Sequence, residues 1–257
     1  MSEPQIGDVR RRLTQAPGIV LLDVGDTLLR PEPSWRDIYA SVFRPLGIDA
    51  SPDEFAQAFR EAWHAWSHEG PFDASEEASF RRLMELDQLI FDRLGHPELP
   101  ESFFRAIEAA FHRRSAWYVF PDVIPALDVM RAAGLRLGVV SNWGWAAPEL
   151  LHLLELASHF EVLAISARVG YQKPHPAIFE HALELMGAGP EAAIHVGDDA
   201  AADVVGARRA GIEPVLILRE QRGHASPSRA EQADGAPVIS DLLELLDLLG
   251  LDRPAAA

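Results

Sequence analysis

Cysteine is absent from this sequence of 257 residues, and lysine occurs once, as Lys173. The absence of cysteine excludes disulfide bonds and metal sites with thiolate ligands. Long apolar runs are also missing from the start of the chain, where the first run, Ile19–Leu22, ends at Asp23. Such a run is too short for a signal peptide or a membrane span, so the sequence predicts a cytosolic protein without a membrane partner.

Positive charge is scarce as well. The 23 lysine and arginine residues are outnumbered by 39 aspartate and glutamate residues, which leaves a formal net charge of -16. A surface with this charge repels the phosphates of nucleic acids, so no nucleic-acid partner is expected. A small anionic ligand would need a locally positive site. The residues indicate no particular oligomeric state.

Five apolar runs, rich in β-branched residues and leucine, predict buried parallel strands. Helical patterns such as Val123–Ala133 and Pro176–Met186 separate them. This alternation predicts an α/β fold, a parallel sheet with helices on both faces, in which ligands bind at the carboxyl ends of the strands. The predicted strands are Gly18–Asp23, Leu135–Ser141, Glu161–Ser166, Ala192–Gly197 and Glu213–Leu218.

A segment without strand signal, residues 32–117, separates the first two predicted strands. Pro31 and Pro33 stand at its beginning. Its apolar residues recur at helical spacing and predict four helices that pack on one another. We therefore expect a helical cap over residues 32–117, inserted into a core that is formed by residues 1–31 and 118–257.

The first two predicted strands end at residues that can hold a ligand. Asp23 closes the first strand, and Gly25 behind it lets the chain turn sharply. Ser141 and Asn142 close the second, where a hydroxyl and backbone amides can hold a phosphate oxygen. Each feature alone is also compatible with local structure, since an aspartate can cap the next element and a Ser-Asn pair more often forms a turn.

Lys173 stands just before a predicted helix, and Pro174 and Pro176 restrict the backbone around it. Every other basic residue counted above is an arginine. The retained lysine therefore indicates a need for a compact ammonium rather than a planar guanidinium. The alternative is an ordinary solvated surface charge. We expect Lys173 to neutralise a phosphate or a carboxylate.

Three acidic residues follow the fourth predicted strand. Asp198 and Asp199 come directly after it, and Asp203 comes one helical turn later. Carboxylates this close together repel one another unless a cation lies among them, and hard oxygen ligands suit magnesium. Helix capping by Asp198 or Asp199 is the alternative, but it accounts for only one of the three acids. The pattern predicts a Mg2+ site.

The order of these motifs resembles that of the haloacid dehalogenase (HAD) superfamily. The matching motifs are Asp23-x-x-x-Thr27-Leu28, Ser141-Asn142, Lys173-Pro174 and Gly197-Asp198-Asp199 with Asp203. They span the predicted core, about two thirds of the chain. The resemblance implies a Rossmann-like parallel sheet with a helical cap of the C1 type. It also implies a magnesium-dependent phosphatase that acts on a small phosphorylated substrate through an aspartyl-phosphate on Asp23.

The resemblance also implies roles for individual residues. Those implied to act in catalysis are Asp23, as the nucleophile, and Ser141 and Lys173, which hold and neutralise the phosphoryl group. Those implied to contact the substrate phosphate are Asp26, Thr27 and Asn142. Those implied to bind or support Mg2+ are Asp23, the backbone carbonyl of Gly25, Asp198, Asp199 and Asp203.

The sequence departs from the family pattern at Gly25, where phosphatases of the family usually carry a second aspartate that protonates the leaving group and activates water. Asp26 stands in the family's usual glycine position. The 2-haloacid dehalogenases of the family also lack the second aspartate, but they need no magnesium, and their fourth motif lacks the carboxylate of Asp198. Phosphonatases require a lysine in the cap, whereas Lys173 lies in the predicted core.

Two functions from different classes therefore stay open. The favoured one is a phosphatase whose acid/base step is weakened at Gly25. The other is a catalytically weak protein of the same family that binds phosphate or has a regulatory role. A 2-haloacid dehalogenase is a third and less favoured function. Aromatic residues at helical spacing more often form packing cores, but some in the cap are expected to select the substrate. The candidates are Trp35, Tyr39, Trp63, His64 and Trp66.

Overall fold

The structure is a computed structural model that describes residues 18–219 and 233–254. The sequence suggests an appended turn or helix over residues 1–17 and a polar surface loop over residues 219–237. The first of these segments lies outside the described residues, and so does most of the second. Within the described part of the chain, no helix is both long and apolar enough to cross a membrane.

Eight strands occur in the described residues. They are β1 (Ile19–Leu22), β2 (Leu29–Pro31), β3 (Trp117–Val119), β4 (Arg136–Ser141), β5 (Val162–Ile165), β6 (Ala193–Gly197), β7 (Glu213–Ile217) and β8 (Val238–Ile239). Six of them form a parallel sheet in the order β5-β4-β1-β6-β7-β8. The predicted α/β class is confirmed, and all five predicted strands are present. Strand β8 was not predicted, because two residues carry too little pattern.

Helices connect the strands and form the cap. They are α1 (Trp35–Phe43), α2 (Pro52–Trp66), α3 (Glu76–Arg93), α4 (Glu101–Phe111), α5 (Val123–Ala132), α6 (Ala147–Leu153), α7 (Ser166–Val169), α8 (Pro176–Leu185), α9 (Val205–Arg209) and α10 (Leu242–Leu249). A π-helical turn, Ala200–Val204, leads into α9.

Strand β1 is buried on both faces, as its unbroken apolar sequence predicts. Val20 and Leu22 point to the face covered by α5, α6 and α10. Ile19 and Leu21 point to the opposite face, where they pack with α8 and α9. Because β4 and β6 flank β1 in the sheet, the residues that follow these three strands meet at one edge.

Four helices, α1 to α4, lie in the segment between β2 and β3 for which the sequence predicts a cap. The side chains of Ser34, Ser51 and Ser75 each accept a hydrogen bond from a backbone N–H in the first turn of α1, α2 and α3, and so fix where these helices begin. The cap has a hydrophobic cluster of its own, in which Phe43 and Phe91 pack edge to face at 5.9 Å. This separate cluster supports the predicted cap at residues 32–117, which we keep as a proposal.

The two connections between cap and core pair with each other. Strand β2 leaves the core and β3 returns to it, and the two form an antiparallel ribbon. This ribbon was not predicted, because each of its strands has only three residues. A second contact joins the cap to the loop before α8. There the N–H of Phe72 donates to the carbonyl of Gly170, and the side chain of Gln172 donates to the hydroxyl of Ser67. The cap therefore touches the loop that carries Lys173.

Candidate active site

The predicted site residues come together at the carboxyl edge of the sheet. Asp23 follows β1, Ser141 ends β4, and Asp198 follows β6. Lys173 reaches the same edge from the loop before α8. Asp23, Ser141 and Lys173 are all buried in the described structure, although two of them are charged. Burial of charge is costly unless the charges are paired, so their contacts determine the chemistry of the site.

Lys173 lies between two carboxylates. Its Nζ is 2.5 Å from Oδ1 of Asp23 and 2.6 Å from Oδ1 of Asp203. The side chain of Lys173 is only 2% exposed. Lys173 is therefore a buried, paired charge and not the solvated surface charge that was the alternative.

Asn142 holds the backbone of Lys173. Its Oδ1 accepts a hydrogen bond from the Lys173 N–H at 2.7 Å, and its Nδ2 donates to the Lys173 carbonyl at 2.9 Å. Both ends of the amide are thus directed at one residue. The side chain of Asn142 therefore orients Lys173, and the contact of Asn142 with phosphate that the resemblance implied stays a prediction.

The carboxylate of Asp203 contacts three groups of the site. Besides Lys173, its Oδ1 lies 2.8 Å from Nε2 of His195, and its Oδ2 accepts from the Asp199 N–H at 3.0 Å. The carboxylate packs directly over Gly197, where an added Cβ would lie 2.1 Å from the Asp203 carboxyl carbon. A glycine at position 197 is therefore needed for Asp203 to reach Lys173.

Burial and ion pairing shift the pKa values of Asp23, Lys173 and Asp203 in different directions. Burial raises the pKa of Asp23, and the attraction of Lys173 opposes this only in part. Burial alone would lower the pKa of Lys173, but the carboxylates of Asp203 and Asp23 outweigh it, and the pKa is raised. Burial would likewise raise the pKa of Asp203, yet Lys173 and His195 lower it well below its usual value. Lys173 is therefore charged at all physiological pH values.

Carboxylate oxygens of Asp23, Asp198 and Asp203 all lie within 4.8 Å of one another. Such a set of hard oxygen donors fits magnesium. Asp199 has a different position. Its Oδ1 accepts hydrogen bonds from the N–H groups of Ala201 and Ala202, so Asp199 forms the helix cap that was the alternative to a metal ligand. A direct contact of Asp199 with a metal stays a prediction.

A cavity of about 550 Å3 lies between cap and core and opens onto this cluster. Asp26 lines it, with its backbone in the left-handed region at φ 51°. Thr27, predicted to contact phosphate, does not line it: its side chain is fully buried, and its hydroxyl has no partner among the described residues. The other predicted site residues that line the cavity are Asp23, Gly25, Ser141, Asn142, Lys173, Asp198, Asp199 and Asp203.

Three of the five substrate-selecting candidates in the cap line the same cavity: Trp35, Tyr39 and Trp63. Trp66 lines a smaller neighbouring cavity. His64 is exposed and lines neither of the two cavities.

Two features of the site were missed in the sequence. His195, under Asp203, is the one polar residue in the apolar strand β6, and that irregularity was the available signal. Asp87, in the cap, accepts a hydrogen bond from the Tyr39 hydroxyl at 2.5 Å and lines the cavity. Burial raises the pKa of Asp87 to about 7, and the bond from Tyr39 opposes this shift. The sequence showed Asp87 only as an acid on an otherwise apolar helix face.

Known proteins resemble this chain over most of its length. The family of haloacid dehalogenase-like hydrolases matches residues 18–211. The chain is 31% identical over 207 residues to haloacid dehalogenase-like hydrolase domain-containing protein 3 of Homo sapiens, covering 77% of this chain and 81% of that protein. It is 32% identical over 243 residues to glyceraldehyde 3-phosphate phosphatase of Methanopyrus kandleri, covering 90% and 96%.

A solved structure agrees with these relatives. The crystal structure of a HAD phosphatase from Thermococcus onnurineus superposes with a TM-score of 0.63 and 27% identity, over 92% of this chain and 99% of that one. The family match covers most of the chain and includes four of the six strands of the sheet and the helices α1 to α4. The chain therefore belongs to the haloacid dehalogenase-like family of hydrolases.

Proposed function

We propose that the protein is a magnesium-dependent phosphatase that hydrolyses a small phosphate monoester through an aspartyl-phosphate on Asp23. The observation that carries the proposal is the ammonium of Lys173, 2.5 Å from Asp23 at the base of a cavity. A phosphoryl group that contacts Asp23 would also lie beside this charge. The relative from Methanopyrus kandleri, named a glyceraldehyde 3-phosphate phosphatase, supports the same chemistry.

In the proposed reaction, a carboxylate oxygen of Asp23 attacks phosphorus, and the bond from phosphorus to the leaving oxygen breaks. The leaving oxygen departs with the bonding electron pair and takes up a proton. Water then attacks the phosphorus of the aspartyl-phosphate, and the bond from phosphorus to the Asp23 oxygen breaks. This step restores the carboxylate and releases inorganic phosphate, and the proton that the attacking water loses passes to solvent or to the phosphate. Lys173 neutralises negative charge on the phosphoryl oxygens, and the buried hydroxyl of Ser141 lies at the same edge to hold one of them.

Magnesium would be held by Asp23 and Asp198, with the backbone carbonyl of Gly25 as a further oxygen ligand. Asp203 and Asp199 would support these ligands from their hydrogen-bonded positions. When bound, the ion supplies positive charge that screens the repulsion between the nucleophile and the substrate phosphate. The cluster of oxygens within 4.8 Å supports this assignment.

The second candidate function is a protein that binds phosphate with little turnover. Gly25 favours it, because the carboxylate that usually serves as acid and base is missing there. If residue 25 carried a side chain, its Cβ would lie 3.4 Å from the ring of Trp143. The more distant dehalogenase hypothesis is disfavoured by Asp198, since a second carboxylate would repel a 2-haloacid substrate.

One assay separates these functions. We expect release of phosphate from an aryl phosphate in the presence of Mg2+, loss of that activity in excess chelator, and loss in Asp23→Asn, which keeps the shape but removes the charge. Full activity in chelator or in Asp23→Asn would contradict the mechanism. Binding of phosphate without turnover would favour the second function, and magnesium-independent release of halide from 2-haloacids would favour the third. The cytosolic location stays a prediction from the sequence.

A further inference from the structure

Ten of the residues that line the cavity above Asp23 are aromatic. Five of the six tryptophans of the chain contribute to its walls. Two of them, Trp35 and Trp63, are 37% and 38% exposed, which is unusual for side chains of this size. The aromatic residues that line the cavity are Trp35, Tyr39, Phe59, Trp63, Phe80, Phe104, Phe111, Trp117, Trp143 and Trp145.

These rings are held in place by one another rather than left to move. Trp35 packs against the rings of Phe111 at 5.4 Å and Trp117 at 5.7 Å. Trp63 stacks on Phe59 with the two rings nearly parallel, at 6.4 Å. A cavity whose aromatic walls are already ordered can take up a flat apolar group without losing further side-chain entropy.

The charges around the cavity are distributed unevenly. Seven acidic residues line it, and two of them, Asp87 and Glu108, belong to the cap. Among the described lining residues, none is an arginine, although the chain has 22, and the only lysine is Lys173. The remaining basic lining side chain, His112, is exposed, with its Nε2 3.5 Å from the carbonyl oxygen of Ala146.

Lys173 cannot serve a second anionic group on the substrate, because Asp23 and Asp203 already share its ammonium. A carboxylate or a second phosphate on the leaving group would instead extend toward the cap, where it would face the carboxylate of Glu108 across apolar walls. Like charges in such surroundings repel strongly, since the low local dielectric weakens screening.

From these two observations we propose that the substrate is a phosphate monoester whose leaving group carries an aromatic ring and no second anionic group. The proposal rests on the proposed phosphatase function and specifies the substrate class of the same site. The aromatic walls bind the ring, and the carboxylate of Glu108 in the cap disfavours substrates with an additional negative charge.

Three phosphate esters with the same kind of leaving oxygen test this proposal by turnover. They are ethyl phosphate, 2-phenylethyl phosphate, and 2-phenylethyl phosphate with a para-carboxylate. We expect kcat/KM to rise at least about tenfold when the ring is added, mostly through KM, and to fall by a similar factor when the carboxylate is added. Equal values for the three esters would overturn the proposal.

Binding of phosphonate analogues tests the same proposal without turnover. The compounds are propylphosphonate, 3-phenylpropylphosphonate and its para-carboxylate, measured by calorimetry in the presence of Mg2+. We expect the same order of affinities as for the esters. If no ester is hydrolysed but the phosphonates bind in this order, the proposed phosphatase function fails and the specificity stands. If the phosphonates bind equally well, the specificity fails.

Two variants with matched controls locate the effect. Trp63→Ala should weaken binding of 3-phenylpropylphosphonate at least several-fold and leave propylphosphonate unchanged, whereas Tyr118→Ala, an equally exposed aromatic outside the cavity, should change neither. Glu108→Lys should improve binding of the para-carboxylate, whereas Glu101→Lys on the same helix but outside the cavity should not. No gain for the para-carboxylate in Glu108→Lys would refute the role of cap charge.

Discussion

Asn142 uses both atoms of its side-chain amide to hold the backbone of Lys173, at 2.7 Å to the N–H and 2.9 Å to the carbonyl. The consequence is that the Lys173 side chain leaves a fixed point of the backbone and ends between Asp23 and Asp203. The position of the ammonium is thus determined at both ends of the side chain. Changes in its size or in its neighbours should therefore be poorly tolerated.

The first prediction concerns the size of the cation. Lys173→Arg keeps the charge, but a planar guanidinium does not fit a buried position that holds a compact ammonium 2.5 Å and 2.6 Å from two carboxylates. We expect phosphate release to fall several-fold or more, measured as kcat at saturating substrate. Arg253→Lys, at an exposed pair with Asp247, is the control for this type of exchange and should leave the rate unchanged. A Lys173→Arg rate within about twofold of the parent would contradict the prediction.

The second prediction concerns Gly197. A Cβ at this position would lie 2.1 Å from the Asp203 carboxyl carbon, so Gly197→Ala must displace Asp203 from Lys173 and His195. We expect a loss of about 1–3 kcal/mol in the free energy of unfolding, as for other overpacked sites, together with a large loss of activity. Urea denaturation and phosphate release measure the two effects. Gly18→Ala, where an added Cβ meets no atom within 4 Å, should behave as the parent does. Parent-like stability and activity in Gly197→Ala would be the contrary result.

The third prediction is a pH dependence of stability that originates in the cap. Burial raises the pKa of Asp87 to about 7 from an ordinary value of 3.8, despite the bond from Tyr39, and Glu108 adds to the shift. Between these values the folded protein holds a proton that the unfolded chain has lost. The contribution of Asp87 to the free energy of unfolding is therefore fully present below about pH 4 and is lost as the pH rises through 7.

Asp87→Asn should abolish this loss of stability with rising pH, because the amide can still accept the Tyr39 hydrogen bond but does not ionise. We expect it to be more stable than the parent at pH 8, by up to a few kcal/mol, and similar to the parent at pH 4. Urea unfolding at the two pH values measures the difference. Tyr39→Phe, which takes the hydrogen bond away from Asp87, should steepen the pH dependence. A constant difference between Asp87→Asn and the parent from pH 4 to pH 8 would show that Asp87 does not titrate in this range.

Much of this molecule could be predicted from its sequence, because the signals were local. Unbroken apolar runs located the strands of the sheet, except for the two-residue strand β8. The rule that ligands bind at the carboxyl ends of parallel strands then selected Asp23, Ser141 and Asp198 as neighbours. The single lysine was informative because arginine is used elsewhere. Each of these inferences needed only a pattern within a few residues.

What could not be predicted depends on contacts between distant segments. The two hydrogen bonds between the Asn142 amide and the Lys173 backbone join residues 31 positions apart. The hydrogen bond from Tyr39 to Asp87 joins residues 48 positions apart. Asp199 looked equivalent to Asp198 in sequence, and only the direction of the backbone after β6 makes it a helix cap. Thr27 matched a family motif, but its side chain is buried away from the cavity.

The last prediction concerns leaving groups and Gly25. When Asp23 attacks phosphorus, a basic leaving oxygen such as an alkoxide needs a proton as its bond breaks, whereas an aryl oxide needs little help. General acid catalysis of this kind is worth about 10²–10⁴ in rate. Because position 25 carries no carboxylate, the parent should turn over phenyl phosphate far faster than 2-phenylethyl phosphate, although both carry a ring. Its phosphoenzyme should also persist, because the same missing carboxylate would have activated the attacking water.

The double variant Gly25→Asp with Asp26→Gly restores the usual order of these two residues. It is compatible with the fold, since a Cβ at position 25 makes only an ordinary contact with Trp143 at 3.4 Å, and glycine suits the left-handed backbone at position 26. We expect it to raise kcat/KM for 2-phenylethyl phosphate more than for phenyl phosphate. The matched control, Gly25→Asn with Asp26→Gly, has nearly the same shape but cannot donate the proton of a carboxyl group, and should give no such gain. Equal rates for both esters in the parent, with no gain in the double variant, would mean that Asp26 or another group already supplies the proton.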